Sequence, residues 1–389
     1  MNNYNRRAVF ALACMGMLVF GIVLTSLGAI LPEITTRFAV SKAAAGSLFT
    51  LLSFSILIAS LVFGPIVDRT GYRLPLALAT SLVAIGLLVI ALSNSLLAIG
   101  AGTVLIGFGG GIVNGAANAL VADITVDSKA AGLSLLGVFF GVGAVGVPFL
   151  LGSLNQRLSY TTLLTVIAVV SALPVLPMLL MGFPAPKQPR SVPLEQIRGL
   201  LREKPLLLFG SMLFLQSGME ITMGGWSATF AREELALDAQ SALYFLSLYW
   251  LGMMGARLLL GAVLRRVSPA SALLACIGGA LAGALLLLNA RTTAVAAVGI
   301  FLIGAGLAAG FPVILGWVGE RYAAVSGTAF SLVLVMALTG GMIVPYLTGL
   351  LGNTRGLRAS LLIIPLALAA SGSLLMWLRS NHLLAMDKQ

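Results

Sequence analysis

Glu220 is the one acidic residue placed deep inside an apolar run, in Gly218-Met219-Glu220-Ile221-Thr222-Met223-Gly224-Gly225-Trp226. The other acids (Glu33, Asp68, Asp123, Asp127, Glu195, Glu203, Glu233, Glu234, Asp238, Glu320 and Asp387) fall in polar stretches or at the ends of such runs. A carboxylate surrounded by hydrocarbon costs several kcal/mol, so a residue of this kind marks a functional site by default. It can take up and release a proton as its access to water changes, which is the chemistry of proton coupling. Arg257 is the matching base inside an apolar run. Gln216 shares a helical face with Glu220, and Asn114 with Asn118, because residues four apart are neighbours on a helix. Amides and a carboxylate suit the hydroxyls of a polar solute. Trp226, Trp250 and Trp317 offer faces on which an apolar ring surface could stack, and Thr25 adds a hydroxyl.

The elements that carry these residues follow from composition. Only 9% of 389 positions are charged and 59% are hydrophobic, against roughly 25% charged in soluble proteins. A soluble surface cannot be built from that, so lipid is the solvent. A hydrocarbon layer takes about 20 apolar residues per helix. Runs of that kind occur near 8–31, 44–66, 74–94, 97–122, 131–153, 160–183, 206–230, 242–264, 269–288, 294–318, 326–350 and 359–378. The expected fold is therefore an all-α integral membrane protein of twelve spans. Arg6 and Arg7 before the first run suggest a leader peptide, but that run is too long and lacks a small-residue cleavage site, so it is read as span 1.

An even number of spans puts both chain ends on one face, here called the terminal face; the opposite face is called the far face. Fifteen of the 23 basic residues fall on the terminal side and seven on the far side. The positive-inside rule then predicts both termini in the cytoplasm, in a cell (inner) membrane. The net charge of +11 is scattered over loops, which argues against a nucleic-acid partner. Cys14 and Cys276 lie in apolar runs and the single histidine, His382, is near the end, so no metal or other cofactor is expected. Nor does any catalytic constellation of an enzyme appear within the spans.

The chain also repeats itself. Gly64 and Gly261, Pro148 and Pro345, Gly107 and Gly304, Gly109 and Gly306, Gly21 and Gly218, and Thr25 and Thr222 each lie 197 residues apart. Around the prolines, Val147-Pro148-Phe149-Leu150-Leu151-Gly152 stands beside Val344-Pro345-Tyr346-Leu347-Thr348-Gly349. Two six-helix bundles are expected, 1–183 and 206–389, joined by a linker at 184–205. In the linker Leu194, Ile197, Leu200 and Leu201 recur at helical spacing, which predicts a short amphipathic helix on the membrane surface. Two like bundles can rock about a midplane site and so alternate its access.

Between spans 2 and 3 stands Gly64-Pro65-Ile66-Val67-Asp68-Arg69-Thr70-Gly71-Tyr72-Arg73. It resembles the signature loop of the major facilitator superfamily, and span number, central linker and duplication extend the resemblance over the whole chain. Gly64 is expected to let helices approach closely and Gly71 to form a tight turn, with Asp123 as partner for the charges. The resemblance implies that Asp68, Arg69 and Arg73 form a cytoplasmic latch favouring the outward-open state. The second copy, Gly261-Ala262-Val263-Leu264-Arg265-Arg266, has Arg265 where an Asp would stand.

Within the superfamily, the Glu220 segment, Tyr249-Trp250-Leu251-Gly252, Gly255-Ala256-Arg257 and Phe139-Phe140-Gly141-Val142-Gly143-Ala144 are similar to the fucose:proton symporter family. Span 1 lacks that family's acid, and Asn114 stands where span 4 often has one, which argues against fucose itself. The resemblance implies proton-coupled symport of a sugar or similar small polar solute by a monomer. Proton-driven efflux of a lipophilic compound is the other reading, compatible with the 14 methionines. Counting about 1.5 Å of rise per residue from the expected ends puts Glu220 roughly 22 Å and Arg257 roughly 10 Å from the cytoplasmic boundary. That predicts no direct ion pair, leaving Arg257 to brace a gate.

Overall fold

Each apolar run becomes a helix, and polar residues at its start define where it begins. Ser41, Ser95, Ser159, Asp238, Ser268 and Thr292 each accept a hydrogen bond at a helix N-terminus from a backbone amide of the first turn. In a computed structural model, which describes residues 4–125, 129–185, 199–200, 202–322, 326–381 and 383, twelve helices have the length and composition to cross a membrane. They run Arg6–Phe38, Lys42–Gly64, Arg73–Leu92, Leu96–Ile124, Leu135–Leu154, Tyr160–Leu180, Lys204–Glu234, Ala239–Val263, Pro269–Leu288, Thr293–Arg321, Ala329–Ser360 and Ile363–Ser380, and are called spans 1 to 12. No strand occurs among the described residues. Most of the expected linker helix, including Leu194, Ile197 and Leu201, lies outside them, as does His382.

Two spans outrun the sequence expectation. Span 1 continues through Pro32 to Phe38, and the Pro32 carbonyl accepts hydrogen bonds from Thr35 and Thr36 Oγ1 at 2.9 and 2.8 Å. These are back-bonds of threonine hydroxyls to a carbonyl of the preceding turn. Span 11 continues past 350 to Ser360 and turns at Gly356, whose φ is 78°. Spans 6 and 10 are each interrupted, span 10 between Leu307 and Gly310.

The repeat is visible in the packing. Gly86 and Gly102 bring the backbones of spans 3 and 4 together, and Gly283 and Gly299, each 197 residues further on, do the same for spans 9 and 10. Gly109 rests on the Ala79 carbonyl and Gly306 on the Cys276 carbonyl, and Gly107 and Gly304 rest on those of Leu52 and Tyr249. All of these positions obey the same offset. The N-caps do so too, Ser41 with Asp238 and Ser95 with Thr292. Small residues that let backbones approach are how helices associate in lipid, where apolar surface alone gives no driving force.

Between the halves, spans 2 and 11, 5 and 8, and 1 and 7 pack together. Their polar contacts gather toward the far face. Lys42 Nζ meets Glu233 Oε2 at 2.9 Å, the Lys42 amide donates to Asn353 Oδ1 at 2.8 Å, and Gln156 Nε2 donates to Gln240 Oε1 at 3.0 Å. Deeper in, Thr50 and Ser53 donate to the carbonyls of Met342 and Gly341. Span 1 meets span 7 where Gly28 lies directly on the Gly224 carbonyl. The conformation is one in which the far face is sealed. The Lys42–Glu233 pair is partly exposed and contributes at most about 1 kcal/mol; the close backbone contacts hold the seal.

At the other end, span 2 continues as helix to Thr70 and stops at Gly71, with φ 74° and ψ −176°. That conformation is nearly closed to residues with a Cβ, so Gly71→Ala is expected to lower stability by about 1–3 kcal/mol. Thermal unfolding of the purified protein in detergent measures it. Gly64 does not have the close contact expected of it: a methyl group there would meet nothing within 4 Å, and the same holds for Gly261. With the far face sealed, the terminal ends of spans 2 and 8 are not pressed against a neighbour at these positions.

Candidate functional site

Span 7 runs for 31 residues and carries Glu220 at its midpoint, 7% exposed. Its Oε1 lies 3.6 Å from Arg257 Nη2 of span 8. The sequence expectation of no direct ion pair is therefore corrected. Equal rise from nominal helix ends ignored how spans 7 and 8 slide past each other. Trp250 packs on Gly224, which brings residue 254 about level with Glu220. Arg257 then stands only some 4.5 Å further along the axis, within reach of its long side chain.

Arg257 is also held from the other half. Its guanidinium carbon sits 5.6 Å from the centroid of the Phe140 ring of span 5, a cation–π distance, and Gly141 beside it packs against Met254. One cation thus touches a carboxylate of its own half and an aromatic face of the other. Glu220 Oε2 and Arg257 Nε are buried without a hydrogen-bond partner among the described residues. Tyr249 stands behind the pair, its hydroxyl donating to the Glu220 backbone carbonyl at 3.3 Å.

The remaining expected binding residues divide into those near this pair and those elsewhere. Gln216 is buried one turn before Glu220, but its Nε2 donates to the Leu307 carbonyl at 2.7 Å, at the break in span 10. It satisfies a carbonyl freed by that break, and Gly310 lies against its side chain. Trp250 is 2% exposed, with its ring packed edge-on to both Phe140 and Tyr249 at 6.0 and 5.0 Å between centroids. Trp226 is fully buried, donates from Nε1 to the Pro345 carbonyl at 3.0 Å and packs on Phe49 of span 2. It belongs to the far-face seal in this conformation. Trp317 packs on Phe209, and the Thr25 hydroxyl donates to the Gly21 carbonyl of its own helix at 3.0 Å. Trp226 and Trp317 thus pack on rings other than those around the ion pair. Asn114 and Asn118 form a separate pair on span 4, Asn118 Nδ2 donating to Asn114 Oδ1 at 3.1 Å beside Met17.

The charged loop is partly assembled. Tyr72 donates to Asp123 Oδ2 at 2.6 Å, tying the start of span 3 to the end of span 4, and Arg73 donates to the Leu179 carbonyl at the end of span 6. Arg69 is exposed, and the Asp68 side chain lies outside the described residues. Phe140 and Tyr249 were not singled out as site residues from the sequence. Their only signal there was a place in stretches shared with a family, because an aromatic in an apolar run reads as packing.

Breaking this ion pair from the basic side tests its energetics. Arg257→Met leaves Glu220 without its counter-charge, and loss of one partner of a buried pair costs roughly 3 kcal/mol; Arg257 keeps a quarter of its side chain exposed, which reduces that to about 2 kcal/mol. The Glu220→Gln/Arg257→Met double variant is expected to recover most of the loss in a thermal melt. Additive destabilisation would show that the two side chains do not act as a pair.

Twelve spans in two repeated halves around a buried, central ion pair define a multi-pass membrane protein of the two-bundle transporter class. The chain belongs to the Major Facilitator Superfamily, whose family model matches residues 13–324, and it is a transporter of that superfamily. A comparison with curated proteins gives no match. Among solved structures, a bacterial homologue of the human lysosomal transporter Spinster, inward-facing and unoccupied, is similar at a TM-score of 0.74 and 16% identity. That match covers 97% of this chain and 98% of the other. The nucleoside transporter NupG, as its D323A mutant, is similar at a TM-score of 0.79 and 17% identity, over 96% of this chain and 99% of the other. At such identities the likeness is one of fold.

Proposed function

We propose that the protein is a proton-coupled symporter of a sugar or similar small polar solute, working by alternating access. The observation that carries the reading is Glu220: a mid-span carboxylate with one oxygen unpartnered and the other on Arg257. While Glu220 is ionised it holds Arg257; once protonated it does so far less strongly, and the hold of Arg257 on Phe140 of the other half is then free to change. Proton uptake at one residue is thereby communicated to the surface along which the halves 1–183 and 206–389 move, with 184–205 as the linker. The aromatic ring of Phe140 and the mixed donors and acceptors nearby suit a neutral solute bearing hydroxyls. The basic excess on the terminal face supports a reading with both termini in the cytoplasm and the protein in a cell inner membrane; we read it as a monomer. The resemblance to the fucose:proton symporter family agrees with this reading in its span 5, 7 and 8 motifs.

Reconstitution tests it. Purified protein in proteoliposomes is expected to accumulate at least one member of a radiolabelled monosaccharide panel when a proton gradient is imposed, and to stop when an ionophore collapses the gradient. Expulsion of a lipophilic dye with no sugar uptake would replace this reading with efflux.

A further inference from the structure

Trp250 was expected to offer its ring face to a substrate, but that face is not available. The ring is enclosed by Phe140, Tyr249 and Gly224, and only 2% of the residue is exposed. What is left over is its indole N–H. Nε1 is buried and has no partner among the described residues, whereas Trp226, equally buried in the same helix bundle, donates to a backbone carbonyl. Leaving a buried donor unmatched is destabilising, so it is usually found where something else supplies the acceptor.

Two more such atoms belong to the ion pair whose arginine lies over the same aromatic ring. Trp250 and Arg257 are two helical turns apart on one face of span 8, and both pack on Phe140. Arg257 holds Glu220, and Arg257 Nε and Glu220 Oε2 are the other unmatched atoms. The set comprises two donors and one acceptor, and the charges of Glu220 and Arg257 cancel. A monoanion or a cation would unbalance that pair; a neutral group that both donates and accepts would complete it.

We infer that Trp250 Nε1, Arg257 Nε and Glu220 Oε2 form a hydrogen-bonding cradle for neighbouring hydroxyls of a neutral polyol or sugar. Trp250 recognises its ligand by its N–H and not by stacking. The inference rests on the reading of the protein as a transporter of a hydroxyl-bearing solute, and it adds which atoms select that solute.

Equilibrium binding separates the two. Radiolabelled aldohexoses and pentoses are titrated onto the full chain in nanodiscs, followed by the monodeoxy analogues of whichever sugar binds. Trp250→Phe keeps the packed ring and removes the N–H, and is expected to weaken binding about tenfold. One monodeoxy analogue should bind wild type about tenfold more weakly, yet bind Trp250→Phe within about twofold of the parent sugar, because the contact it lacks is already gone. Sugar binding that Trp250→Phe leaves unchanged, or a deoxy series whose losses are the same in both proteins, overturns the cradle while leaving sugar transport standing. Binding of no neutral sugar overturns the transport reading and the cradle with it. Should Trp250→Phe fail to fold, the charge arm decides on wild type alone: uronic acids and amino sugars are expected to bind at least about tenfold more weakly than the neutral parent, and equal binding overturns the inference.

Discussion

Glu220→Gln is expected to reduce gradient-driven accumulation of substrate in proteoliposomes about tenfold or more, the loss foreseen when an ionisable residue on a membrane pathway is made inert. Exchange of labelled for unlabelled solute, which needs no net proton movement, should survive at a measurable fraction of the wild-type rate. The substitution suits the question because Gln keeps the size of Glu and an oxygen facing Arg257, so the packing around the site is spared. What disappears is the ability to change charge, together with one of the two acceptor oxygens. If Glu220 only packs, accumulation and exchange are both retained. If it only binds a solute hydroxyl, both fall together, and accumulation relative to exchange is unaltered. A loss of accumulation much larger than the loss of exchange is what coupling requires, since driving one solute by another demands a group whose state depends on both.

The second large effect is expected at the far-face seal. Gly28 of span 1 rests on the Gly224 carbonyl of span 7, and any Cβ would collide with it. Backbone is the obstacle, so no side-chain rotation relieves the clash. Gly28→Val is therefore expected to abolish transport by preventing spans 1 and 7 from closing, while leaving each half folded, because the contact lies between the halves. Thiol accessibility reads the trapped state. With Cys14 and Cys276 changed to Ser, a Cys at Ser53, which is fully buried beside the Gly341 carbonyl, should resist a membrane-impermeant maleimide applied to the far face. In the Gly28→Val background it should react readily. Unaltered labelling together with normal transport would show that the seal does not have to open at this contact.

Membrane character followed from composition and needed nothing else. Whether a residue prefers lipid or water is a property of its own side chain, summed along a run, so twelve spans were legible from local sequence. The repeat was legible for a related reason. Glycines and helix caps act through the backbone at their own positions, and their 197-residue spacing survives in the sequence as it does in the contacts of spans 3, 4, 9 and 10. Glu220 stood out because scarcity of charge makes any intramembrane acid conspicuous.

Which residues meet was a different matter. Glu220 and Arg257 were expected apart, because counting rise from helix ends assumes that neighbouring helices are level. The offset between spans 7 and 8 is decided where Trp250 packs on Gly224, and the reach of an arginine then closes the rest. Gln216 reads as a substrate ligand in sequence; the break in span 10 gives its Nε2 the Leu307 carbonyl at 2.7 Å as well. Three tryptophans looked alike in sequence; packing made Trp226 part of a seal, set Trp317 against Phe209 and left Trp250 with an unmatched N–H. The sequence by itself determined the solvent, the number of spans, the duplication and the one carboxylate deep inside an apolar run. Only the tertiary structure decided its partner, the sealed face and the free donors, because axial register and hydrogen-bond satisfaction depend on residues brought together from different helices, which no local sum contains.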